Sequence, residues 1–193
     1  MATQKPMGRR INTGLLARIG MMGAITTVLS FFPEIPLVFF APWLKLDFSY
    51  VPVLLTGFSL GFLPGLATLV IKNLAMLLKT DSAGIGQLAD MLVGIAMLLP
   101  ATMIYRIDRT RKGALIGMLT GILAMIATGV LLNRFMLLPL YLGSGFAAYM
   151  AENPYILWTA VAPFNLVKGG TVCIVVSLLY KRLAPFLKRG LRG

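Results

Sequence analysis

Apolar residues fall in five long runs along this chain, at about 15–32, 51–78, 85–105, 113–142 and 156–180. Each run is of membrane-span length, since about 20 residues of helix cross a bilayer. The pattern is neither the two-residue alternation of strands nor the one-sided stripe of a soluble helix. It predicts an all-helical bundle that crosses a membrane several times. The second run is ambiguous, being either one long tilted helix or two short ones broken at Gly61-Phe-Leu-Pro64-Gly65, where glycine and proline punctuate a helix.

Charge placement decides between them. Thirteen of the 18 cations lie in three patches: Lys5, Arg9, Arg10 and Arg18; Arg106, Arg109, Arg111 and Lys112; and Lys181, Arg182, Lys188, Arg189 and Arg192. Cytoplasmic loops collect Lys and Arg. Only if 51–78 crosses twice do all three patches share one side, so six spans with both termini inside are expected. The basic tails at 1–14 and 183–193 then flank a single membrane domain. On the outer side, 33–50 is rich in proline and aromatic residues and reads as an interfacial belt or as a lid over a pocket. The alternation Leu44-Lys45-Leu46-Asp47 favours the lid.

Composition narrows the class further. Of 193 residues, 58% are apolar before the 20 glycines are counted, and 12% are charged. A soluble domain is about 45–50% apolar with glycine included, so disorder, a soluble enzyme and a secreted disulfide scaffold are excluded. The net charge of +12 records topology and not a nucleic-acid ligand, because its cations cluster at helix ends. The first apolar run is too long for a cleavable signal peptide and no small-residue cleavage site follows it. There is no histidine, which removes His triads and His-ligated metals. Cys173 stands alone in an apolar run and reads as a small buried hydrophobe. The six acids, Glu34, Asp47, Asp81, Asp90, Asp108 and Glu152, are too dispersed to announce a metal or acid–base cluster.

Two motifs lose their chemistry in this setting. Gly57-Phe-Ser-Leu-Gly61 matches a nucleophile elbow, and Gly143-Ser144-Gly145 resembles an intramembrane serine site, but neither has a histidine base. Small residues four apart instead let helices pack closely. One such stripe, Ala17, Gly20 and Ala24, lies on the first span beside its basic end, and faces either the bundle or a partner helix.

Polar residues at membrane depth carry the functional signal, because each is costly there. Lys79 reads as an interfacial snorkel, and Lys72 as another. Asn133, followed by Arg134, and the pair Asn165 and Lys168 are harder to dismiss. A helix puts Asn165 and Lys168 on one face, in the outer half of the last span. Together with Asn133 they offer amides and a cation to one pocket near the outer surface, or else form an interhelical clamp. A small polar molecule with an aromatic part suits the pocket better than an ion.

The segments Leu44-Lys-Leu-Asp-Phe-Ser-Tyr-Val-Pro52, Ile71-Lys-Asn73, Asn133-x-Phe135-x-Leu-Leu-Pro-Leu-Tyr141 and Pro163-Phe-Asn-Leu-Val-Lys168 resemble, in that order, the riboflavin-specific S components of energy-coupling factor (ECF) vitamin transporters. The resemblance spans about 15–182. It implies six helices with both ends inside, capture of riboflavin without catalysis, and no cofactor beyond the transported ligand. The implied ligand residues are Leu46, Asp47, Phe48, Asn133, Asn165 and Lys168, with Trp43, Leu44, Lys45, Lys72 and Gly84 more peripheral. The nearby cations make flavin mononucleotide a second candidate. The implied partners are a membrane coupling subunit, docked on Ala17, Gly20 and Ala24, and two cytoplasmic ATPases. The family's first docking alanine is Gly20 here. Competing readings are an S component for thiamine, biotin or folate, and a membrane enzyme acting on lipid head groups.

Overall fold

The structure, a computed structural model, describes residues 13–31, 35–36, 44–79 and 83–188. Trp43, most of the 33–43 stretch and the terminal residues 1–12 and 189–193 lie outside these residues.

The described chain is almost entirely helical. In order it forms α1 (Thr13–Phe31), a two-residue strand β1 (Ile35–Pro36), its partner β2 (Lys45–Leu46), α2 (Tyr50–Leu60), α3 (Phe62–Met76), α4 (Ile85–Ile107) and α5 (Arg111–Leu132). A π-helical turn at Asn133–Leu137 carries α5 into α6 (Leu138–Leu142), followed by α7 (Phe146–Glu152). A second π-helical turn at Leu157–Val161 leads into α8 (Ala162–Lys188). Five helical stretches are long and apolar enough to cross a membrane, and α2 is a shorter apolar helix beside them. The last helix continues through Lys188, into the region expected to be a basic tail.

The ambiguous second run is two helices. Gly61 separates them with φ +107° and ψ 173°, a conformation essentially confined to glycine. The chain turns there, and α2 and α3 pack side by side. A Cβ on Gly65 would lie 3.0 Å from the Cα of Gly57, so the recurring glycines close this contact, as small residues do between membrane helices. The same device joins α4 to α5, where a Cβ on Gly117 would fall 2.6 Å from the Ala101 carbonyl oxygen and one on Gly121 2.7 Å from that of Met97. Gly57-Phe-Ser-Leu-Gly61 is thus helix packing and a helix end.

The main core lies between α2, α3, α4, α5 and α8 and includes Leu54, Leu55, Leu69, Met97, Leu98, Met125 and Val172. A second apolar cluster gathers Leu44, Leu46, Leu138, Ile156, Leu157, Val161 and Phe164 near the start of α8. Outside, large apolar side chains stand exposed on several helices: Leu63, Met103, Ile107, Leu123, Ile174 and Leu178 among them. A soluble protein would cover such a girdle; here it is the surface that lipid covers. Two buried hydroxyls bond inside their own helices, Thr56 to the Pro52 carbonyl and Thr102 to that of Leu98, so their burial in an apolar medium is compensated.

β1 and β2 pair antiparallel, Ile35 opposite Leu46 and Pro36 opposite Lys45. This ribbon ties the two ends of the 37–44 segment together and delivers the chain to residues 47–49, immediately before α2.

Candidate functional site

Four charges meet where these elements converge. Lys168 on α8 donates from Nζ to Asp47 Oδ2 at 2.9 Å, joining the last long helix to the segment before α2. Lys72 on α3 meets Asp90 Oδ2 on α4 at 2.5 Å. Lys168 Nζ also lies 3.7 Å from Asp90 Oδ1, which links the two pairs. Tyr50, the first residue of α2, fills the centre. Its hydroxyl donates to the Asp90 carbonyl oxygen at 2.7 Å and lies 3.1 Å from Oδ1. Its ring lies 4.7 Å from Lys168 Nζ and 5.2 Å from Lys72 Nζ, within cation–π reach of both.

Two ammoniums against two carboxylates leave the cluster neutral. That neutrality permits the burial of Lys72 and Lys168, which are 4% and 6% exposed; an unpaired charge at this depth would be far costlier. Burial alone would raise the Asp47 carboxyl. Lys168 and Lys72 outweigh that effect, and with hydrogen bonds from Lys168 and Ser49 they hold it well below the usual carboxylate range. Thr26 on α1 donates to the Ser49 carbonyl, so α1 helps to fix the segment that carries Asp47.

The cluster lies on the wall of a cavity of about 560 Å³, within the size range of small-molecule sites, about 300–1,000 Å³. Asn133 and Asn165 also line it, beside Met125, Leu137 and Phe164. Each amide anchors itself on its own helix, Asn133 Nδ2 to the Gly129 carbonyl and Asn165 Nδ2 to that of Val161, both at 2.8 Å. Asn133 opens one π-helical turn and the other ends just before α8; such turns are frequent at functional sites because they re-aim side chains. Gly129 makes room for Asn165: a Cβ there would lie 2.6 Å from its Nδ2.

Of the expected site residues, Leu44, Lys45, Asp47, Lys72, Asn133, Asn165 and Lys168 line this one cavity. Leu46 and Phe48 do not; Leu46 packs in the second apolar cluster and Phe48 against the main core. Gly84 caps the start of α4 with φ +88°, while its neighbours Gly86 and Gln87 reach the cavity. Trp43 lies outside the described residues. Arg134 sits over the Phe146 ring at 5.1 Å and is absent from the cavity wall.

One expectation needs correction. Lys72 does not snorkel to an interface, because Asp90 holds it inside. Folding does gather two of the dispersed acids, as it could, by bringing Asp47 and Asp90 against the same two lysines. Asp90, Tyr50 and Asn73 are cavity residues that the sequence reading left unassigned. A signal was present for Asp90. It is the single acid of α4, as Lys72 is the single cation of α3, and lone opposite charges on neighbouring spans seek each other. Asn73 is 5% exposed, and its Oδ1 has no hydrogen-bond partner; buried acceptors of this kind suit a ligand donor.

Known proteins resemble this chain along most of its length. The family model for the ECF transporter substrate-specific component matches residues 15–180. Riboflavin transporter RibU of Staphylococcus aureus (strain TCH60) is 39% identical over 175 residues, covering 90% of this chain and 92% of that protein. Riboflavin transporter FmnP of Bacillus subtilis (strain 168) is 31% identical over 185 residues, covering 90% and 94%. A solved structure of the S component of a bacterial ECF transporter superposes with a TM-score of 0.78 at 37% identity, over 93% of this chain and all of that one.

Proposed function

This chain belongs to the substrate-specific components of ECF transporters, multi-pass subunits of the prokaryotic plasma membrane and not enzymes, and from that premise we propose that it captures riboflavin for uptake. The observation that carries the reading is the cavity itself. Apolar walls at Met125, Leu137 and Phe164 suit a flat aromatic ring system, and the amides of Asn133 and Asn165 with the Lys168 ammonium suit its polar edge and a polyhydroxyl chain. Apolar walls with a few placed polar groups are the usual construction of such a site. Riboflavin enters here as transported ligand, not as cofactor.

The basic patches support an orientation with both termini in the cytoplasm, which puts the cavity toward the outside. In that orientation the 33–50 stretch, tethered by β1 and β2, serves as a lid. Exposed Lys45 and Lys79 on the cavity wall favour acceptance of flavin mononucleotide as well. A membrane coupling subunit docks on the exposed stripe Ala17, Gly20 and Ala24, and two cytoplasmic ATPases supply the energy.

Titration of purified protein with riboflavin tests the reading. Quenching of flavin fluorescence at one site per chain is the expected result, and protein from a riboflavin-replete host should carry visible flavin colour. A colourless preparation that leaves flavin fluorescence unchanged, or that answers instead to thiamine, biotin or folate, overturns it.

A further inference from the structure

The opposite end of the bundle holds a second cavity, of about 510 Å³, between the end of α2, the break at Gly61, the first turn of α3 and the end of α4. No carboxylate lines it. Its charged lining residues are Arg106 and Arg109, both exposed, and neither pairs with a carboxylate among the described residues. Ser59 Oγ is buried on the same wall without a hydrogen-bond partner. Apolar side chains at Phe58, Phe62 and Leu63 make up much of the remaining wall, with Thr102 and Tyr105 beside them. Met103, 58% accessible, is also on the wall, and Ile107, next along α4 from Arg106, is 88% accessible.

Two guanidiniums and a spare hydroxyl call for a compact anion, and a phosphate accepts from both kinds of donor. The apolar wall and exposed girdle call for hydrocarbon attached to it. We infer that this cavity is a second binding site, which takes the phosphodiester head of an anionic phospholipid while the acyl chains run along Leu63, Met103 and Ile107. The site goes beyond riboflavin capture, because it shares no residue with the first cavity and lies at the far end of α2, α3 and α4. The basic residues Arg111 and Lys112 begin α5 and do not line the cavity. They therefore separate a built site from the general attraction of a basic loop for anionic lipid.

Native mass spectrometry of the full chain, released from micelles carrying either phosphatidylglycerol or phosphatidylcholine, reads the site directly. Phosphatidylglycerol should be retained and phosphatidylcholine lost. The double variant Arg106→Gln/Arg109→Gln should weaken retention about tenfold or more, as the loss of charge-assisted hydrogen bonds implies. The control Arg111→Gln/Lys112→Gln should leave retention unchanged, and riboflavin titration at the other cavity reports that each variant is folded. Equal retention of both lipids, or equal loss in both double variants, overturns the proposal. If inorganic phosphate alone displaces the lipid or binds in its place, the ligand is free phosphate and the lipid assignment falls. Unchanged lipid retention beside lost ATP-dependent uptake in the Arg106/Arg109 variant would assign the arginines to a protein contact, and would equally overturn it.

Discussion

Asp90 is the residue on which the first cavity turns, because it faces Lys72, Lys168 and the Tyr50 hydroxyl together. Asp90→Asn removes one negative charge and leaves two buried ammoniums against Asp47 alone. Breaking a buried pair in this way costs about 3–5 kcal/mol, so thermal unfolding in detergent should show a loss of that order, and unchanged stability would mean the pairs are not formed. Ligand affinity follows a different set of residues. Asn165→Ala and Lys168→Ala should each weaken riboflavin by about 1–3 kcal/mol, since each strands a buried polar group of the ligand; calorimetry checks this, and a loss below about fivefold in both would displace the site. Asp47 adds a pH signature. Its carboxyl is held below the ordinary value, so its contribution is complete above about pH 4 and is lost as the pH falls further. Asp47→Asn should therefore flatten the acid limb of stability while leaving its slope between about pH 5 and 8 unchanged. Asn133, Asn165 and Lys168 were legible in the sequence because each interrupts an apolar run. Tyr50 was not, because an aromatic residue at the head of a span is ordinary until two lysines are seen beside its ring.

At the scale of elements, the break between α2 and α3 was legible from Gly61, Pro64 and Gly65, and charge placement chose it over one tilted helix. The shortness of α2, 11 residues, follows from the same break, which lies about ten residues into the run. The π-helical turns were not legible, because each inserts one extra residue per turn into an otherwise regular apolar pattern. Asn133 and Asn165 both depend on those turns for their aim, and so the sequence could name the amides without showing how they converge. Gly61 tests the element directly. Its φ of +107° with ψ 173° is strained for any residue with a Cβ, at about 1–3 kcal/mol. Gly61→Ala should lower thermal stability by that amount although no neighbour lies within 4 Å of the added Cβ. A neutral result would show that the chain can turn here in another conformation.

For the whole molecule, the proposed docking stripe on α1 and the cavity are separate surfaces, so capture and transport should be separable. The helix has two small-residue faces that the sequence alone did not tell apart. Gly23 faces inward, where an added Cβ would lie 2.8 Å from Ile71, and packs α1 against α3. Gly20 meets nothing within 4 Å, and Ala17 and Ala24 are exposed beside it. A bulky side chain on the outer stripe therefore has room in the isolated chain and obstructs only what approaches from outside, as close helix contact through small residues requires. Gly20→Leu or Ala24→Trp should abolish ATP-dependent riboflavin uptake in cells that carry the coupling module, while the purified variant binds riboflavin with unchanged affinity. Gly23→Leu, by contrast, should impair folding and binding together. Uptake that survives both outer substitutions would place the coupling surface on another helix. Lost binding in those same variants would return the stripe to the role of internal packing, which the open space around Gly20 argues against.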